Sequence, residues 1–271
     1  MARPFLTAAA LAAAIALPVP VAAADKANPM TESASWQAIR EDVVGPAPIA
    51  SAEGLIAFET PYRAEDAASV PIHLRQTDPE IRIEGAVVVI DENPAPVAGE
   101  FTFGPAMMPL DFALNIRVDQ YSNVRAIART PEGLRMAGGF VKASGGCSAP
   151  AAGDPEKALA EAGGMTLHHA GTEAAISVPR REAELTIRHP NHSGLQRDQV
   201  TQLFIPAQFI DRIEVRQGDE LLWSMEGGIS ISANPVFRFA YDDNGAQALT
   251  VVATDTGGAR YEQVLPKAAG G

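Results

Sequence analysis

The chain has a single cysteine, Cys147, in 271 residues. With no second thiol there can be no internal disulfide, no cysteine-rich metal site and no Cys-x-x-Cys-His attachment for haem. A Gly-rich phosphate loop and a His-Glu-x-x-His zinc signature are missing too, so the common nucleotide and metalloprotease chemistries have no sequence support. Positive charge is scarce: 21 Lys and Arg stand against 33 Asp and Glu, a formal net charge of −12. That balance argues against nucleic acid and anionic membrane as partners and suits electrostatic steering toward basic proteins. The longest apolar run, near the N-terminus, is too short and small-sided for a membrane span.

What is present reads as an exported, globular chain. Apolar residues make up 46% and charged residues 20%, which is not the profile of disorder. Residues 1–24 have the layout of a signal peptide: Arg3 in a weak positive start, an Ala/Leu-rich stretch over 5–17, and Ala22-Ala23-Ala24 before Asp25. Export implies an oxidising setting, where a thiol without an internal partner points to intermolecular pairing or chemistry.

Beyond the leader, the pattern predicts a helix over 31–44, capped by Thr31 or Ser33 and ended by Gly45-Pro46. Short strand-like runs follow at 55–58, 70–74, 85–90, 101–103, 112–118, 123–128 and 134–141, broken by Gly, Pro, Asp and Asn. A short helix capped by Asp154 and Pro155 separates these from a second β-rich half, with strands expected at 185–189, 209–215, 221–225, 229–232, 237–241, 249–253 and 261–265. The fold class is all-β: two β-sandwich domains, 25–142 and 180–271, joined by a cysteine segment and linker helix over 143–179.

Cys147 lies between those halves in Lys142-Ala143-Ser144-Gly145-Gly146-Cys147-Ser148-Ala149-Pro150. Gly145 and Gly146 lack a Cβ and read as a hinge, and small residues continue on the other side. Such a setting suits a cysteine that carries a group to other proteins better than one fixed against a base. The alternative is an incidental cysteine between two docking domains. His189 and His192 flank a Pro190-Asn191 turn and leave copper or divalent-metal chelation open, although no carboxylate or second cysteine lies at motif spacing. No acid, base and oriented nucleophile assemble from these residues, so the chain is read as a non-enzyme without a cofactor.

Taken together, the motifs resemble a fusion of the SoxY and SoxZ subunits of sulfur carriers, and most closely the SoxYZ-like carriers associated with quinoprotein dehydrogenases. The SoxY-like signature is Val70-Pro71-Ile72-His73-Leu74, Asn93-Pro94-Ala95-Pro96-Val97-Ala98, Asn123-Val124-Arg125-Ala126-Ile127-Ala128 and the run from Phe140 to Gly145-Gly146-Cys147. The SoxZ-like signature is His189-Pro190-Asn191-His192-Ser193-Gly194-Leu195, Ile205-Pro206-Ala207-Gln208-Phe209-Ile210 and Ile229-Ser230-Ile231-Ser232-Ala233-Asn234-Pro235. The resemblance implies two immunoglobulin-like β-sandwich domains packed together as a periplasmic carrier, with a covalent intermediate on Cys147, a hinge at Gly145 and Gly146, and redox enzymes as partners: a quinoprotein dehydrogenase, a c-type cytochrome or Sox-type enzymes. In those carriers the arm ends the chain as Gly-Gly-Cys-Gly-Gly, whereas Cys147 here continues into a second domain. An arm tied at both ends sweeps less volume.

Overall fold

The computed structural model describes residues 28–150, 154–169 and 180–267, so the expected signal peptide lies outside the described residues. Helix α1, Ala34–Val44, is capped by Ser33, whose side chain accepts from the Trp36 N–H, and it stops at Gly45 in a positive-φ conformation. Trp36, with Ile39, Val43 and Val44, covers Val87, Val89 and Ile127. This cover explains β4, Gly85–Ile90, which is buried at every position. A strand covered on both faces needs an unbroken apolar run rather than alternation.

The first half supplies β1 Ile49–Ser51, β2 Ile56–Glu59, β3 Val70–Gln76, β4, β5 Val97–Phe103, β6 Asp111–Ile116, β7 Ser122–Thr130 and β8 Gly133–Val141. Helix α2, Pro155–Ala160, follows, with the Asp154 carboxylate accepting from the N–H groups of Glu156 and Lys157. The second half supplies β9 Met165–His169, β10 Arg180–Ile187, β11 Ile210–Gln217, β12 Glu220–Gly227, β13 Val236–Asp242, β14 Ala248–Asp255 and β15 Arg260–Pro266. One expected strand is not there. Residues 229–232 form a turn with a single bridge, Ile231 to Ile116, because the Ser230 and Ser232 hydroxyls bond to the carbonyls of Ala95 and Asn115 and hold the segment as a crossing.

The two halves share their sheets. A nine-stranded sheet runs β1-β8-β7-β4-β5-β12-β11-β14-β15 and a six-stranded sheet runs β2-β3-β6-β13-β10-β9. The joins are antiparallel, β5 with β12 through Phe103 opposite Trp223, and β6 with β13 through Phe112 opposite Phe239. The buried cluster is correspondingly continuous, with Phe101, Phe103 and Phe112 from the first half against Trp223 and Phe237 from the second. Edge-on ring contacts of this kind add to the area buried. The linker is therefore one of three connections. No helix among the described residues is long and apolar enough to cross a membrane.

A shared core predicts shared unfolding. Phe112→Ala is expected to cost about 3–5 kcal/mol, with urea unfolding a single transition by tryptophan fluorescence and circular dichroism alike. Two separated transitions would contradict the joint core.

Candidate functional site

Strand β8 delivers the chain to the cysteine segment, and a parallel bridge between Arg63 and Lys142 guides it out of the sheet. From there the backbone is clasped by both halves. On the first-half side the loop after β6 receives it: the N–H of Gly145 donates to the Asp119 carbonyl at 2.8 Å, that of Gly146 to the Val118 carbonyl at 3.1 Å, and that of Cys147 to the Asp119 carboxylate at 3.2 Å. On the other side the Ser193 hydroxyl donates to the Cys147 carbonyl, and the Gln196 amide to the Ala149 carbonyl at 2.9 Å.

The glycines fit this seat for two separate reasons. Gly145 has φ near +79°, a region that favours glycine. A Cβ on Gly146 would sit 2.1 Å from the Ala67 carbonyl oxygen, so only glycine lets the segment lie this close. In this conformation the cysteine does not protrude: Cys147 is 4% exposed. Burial pushes its thiol pKa up to about 11, the Asp119 carboxylate adds to the rise, and the Arg117 guanidinium opposes it. A seated Cys147 is thus a protonated, unreactive thiol at neutral pH.

Arg117 is the residue that sequence reasoning passed over. Its side chain is 1% exposed and donates to the carbonyls of Ile231 at 3.3 Å, Pro190 at 3.3 Å and Asn191 at 2.9 Å, all from the second half. Burial pulls its pKa down, while Cys147 and Asp66 favour its charged form. A cavity of about 330 Å³ opens beside the segment, walled in part by Arg117, Ala149, Pro150, Lys157, Arg188 and Gln196. A cation amid local apolar packing next to a cysteine was not legible from spacing, since 30 residues of sequence separate the two.

The histidines take supporting places. His189 is fully buried, its Nδ1 in contact with the Asn191 side chain at 2.8 Å and its Nε2 with Asp255 at 3.3 Å, and burial holds its pKa below the usual histidine value. His192 is also buried, with Nδ1 against the Gln196 amide oxygen at 3.2 Å. Together they brace the loop between β10 and β11 that supplies Ser193 and Gln196. No group of three or more His, Cys, Asp or Glu suited to a metal occurs among the described residues. A larger concavity, about 1130 Å³, lies on the outer face of the six-stranded sheet around His73, Asp111, His168 and Arg238. Its walls include no residue of the cysteine segment, and they hold two close ion pairs, His73 with Asp111 at 2.7 Å and Arg238 with Glu184 at 2.6 Å.

Comparison with known families gives two matches in tandem. The model described as Sulfur oxidation protein SoxY covers residues 40–147, ending on the cysteine, and that described as Sulphur oxidation protein SoxZ covers residues 172–266. The chain is a fused SoxYZ-like protein. Among solved structures, the sulfur carrier protein SoxY from Chlorobium limicola f thiosulfatophilum is similar at 23% identity and a TM-score of 0.34, over 40% of this chain and 89% of that one. A β-glycosidase from Bacteroides vulgatus aligns at 7% identity and a TM-score of 0.24, over 78% of this chain and 24% of that one. Comparison with curated proteins gave no match. The two matches together support a sulfur-oxidation carrier protein.

The seat makes thiol reactivity its readout. Alkylation of native Cys147 by iodoacetamide is expected to keep accelerating from pH 8 toward pH 11, whereas the urea-unfolded chain levels off near the ordinary thiol pKa of about 8.5. The raised pKa also means that its share of folding stability is fully present below the unfolded value and is lost as pH rises toward about 11. Gly146→Ala should displace the segment and raise the alkylation rate at pH 8 about tenfold, the effect of roughly 1.4 kcal/mol lost from the seat. An unchanged rate would contradict the close approach to Ala67.

Proposed function

We propose that this SoxYZ-like protein is a periplasmic carrier that holds a sulfur-linked intermediate on Cys147 and presents it to partner redox enzymes. The observation that carries the reading is Cys147 itself: the one thiol of the chain, at the end of the SoxY match, on a Gly145-Gly146 segment clasped by hydrogen bonds rather than built into a strand. Gly145 and Gly146 serve as the hinge by which the segment leaves its seat. The leader-like residues 1–24 support export.

The chemistry requires a redox partner. Joining a thiol to a sulfur anion forms an S–S bond and releases one proton and two electrons: R–SH plus X–S⁻ gives R–S–S–X, H⁺ and two electrons. The two electrons pass to an external acceptor, of the class of a c-type cytochrome or a quinoprotein dehydrogenase. The seated thiol, with its pKa raised to about 11, is not the nucleophile. Loading therefore requires the segment to be unseated, and the partner supplies the base.

The buried thiol also gives support to a second reading, a non-covalent docking module for a quinoprotein dehydrogenase or c-type cytochrome. The two are separated by intact mass spectrometry of the mature protein from its native compartment, with and without reductant. The carrier reading expects a reductant-labile mass on Cys147 and loss of sulfur-compound oxidation in the Cys147→Ser strain. An unmodified thiol while the pathway runs, with full activity in that strain, would leave the docking module.

A further inference from the structure

The exposed large apolar side chains are not scattered. Of the six among the described residues, Tyr121, Leu195, Val200, Leu203, Phe204 and Val264, all but the last belong to the two loops that clasp the cysteine segment. Tyr121 lies two residues from Asp119, which binds the Gly145 and Cys147 N–H groups. The other four sit on the loop whose Ser193 and Gln196 hold the Cys147 and Ala149 carbonyls. Val200 is 90% exposed and Leu203 69%. Exposed apolar side chains concentrated on the two loops that hold one functional segment mark an interaction surface, whereas single exposed residues do not.

Charge adds a second, independent observation. The chain carries a net charge of −12, yet two cations beside these side chains form no ion pair among the described residues. Lys142, the first residue of the segment, lies over the rings of Tyr62 at 4.9 Å and Tyr121 at 6.0 Å. Arg197 stacks on Phe204 at 4.1 Å. In a chain with carboxylates in excess, cations held on aromatic faces and left without a carboxylate are available to an acidic partner.

We propose that these five apolar side chains, with Lys142 and Arg197, form the docking face for a partner protein whose own reactive entrance is apolar and rimmed by carboxylates. The inference rests on the carrier reading for its purpose, delivery of Cys147, and it names the kind of surface that receives it. Docking over the two clasping loops also acts on the bonds that seat the segment, so engagement and unseating are coupled.

The test uses the full chain expressed in its native host, with a benzophenone amino acid replacing Leu203 for photo-crosslinking. The expected result is a discrete crosslink that persists in Cys147→Ser, weakens with salt, and is lost when Lys142→Glu and Arg197→Glu are combined. In parallel, Leu203→Ser with Phe204→Ser should lower the occupancy of the Cys147 adduct about tenfold, as loss of interface anchors does, while the iodoacetamide rate and melting temperature stay at wild-type values. A crosslink indifferent to charge reversal, or full loading of the double serine variant, would overturn the docking face. A charge-dependent crosslink alongside an unloaded wild-type Cys147 would retain the docking face and remove the carrier reading.

Discussion

The antiparallel join between the two halves is the constraint on which the rest depends. Because β6 pairs with β13 and β5 with β12, the loop after β6 is carried directly against the loops of the second half. Arg117 at the end of that strand shows the consequence: its N–H donates to the Ser230 carbonyl at 2.7 Å and its guanidinium to three further second-half carbonyls. Asp119, two residues on, is thereby placed to receive the cysteine segment. Ser193 and Gln196 close over it from a loop braced by the buried His189, Asn191 and Asp255 contacts. The clasp is a product of fusing two sandwiches through their sheets, and neither half alone contains it.

Tethering and burial then bear on the same property. A segment fixed at both ends has fewer conformations to lose on seating, so a handful of hydrogen bonds of about 1 kcal/mol each is enough to hold it. Seated, the cysteine is shielded from solvent and burial keeps its thiol protonated. On the proposed carrier reading, release from the clasp is the step that exposes the thiol. The apolar, cation-bearing loops beside it offer a place where a partner could apply that release.

Much of this architecture was legible in residues. The all-β class followed from short alternating runs such as Val70-Pro71-Ile72-His73-Leu74, α1 from a cap at Thr31 or Ser33, of which the structure uses Ser33, and from its Gly45 stop, and α2 from Asp154 and Pro155. Cys147 with Gly145 and Gly146 stood out because a lone thiol and paired glycines are visible without geometry. The merging of the sheets was not visible, since strand order depends on long-range pairing that no local pattern encodes. Residues 229–232 read as a strand because Ile229 and Ile231 alternate with serines, yet those serine hydroxyls bond to backbone of the first half. Arg117 was hidden for the same reason: an arginine at a strand end is ordinarily solvated, and its burial here is supplied by distant carbonyls. The burial of Cys147 likewise depends on Ser193 and Gln196, which lie more than 40 residues away in sequence.

Contacts from the second half keep the thiol seated. The most direct measurement is the iodoacetamide alkylation rate of Cys147 at pH 8 in wild type and in the Ser193→Ala, Gln196→Ala double variant, with melting temperature recorded alongside. Removing two hydrogen bonds of about 1 kcal/mol each should raise the rate by about tenfold or more while the fold persists. An alkylation rate equal to wild type would show that the second half does not hold the cysteine in its seat.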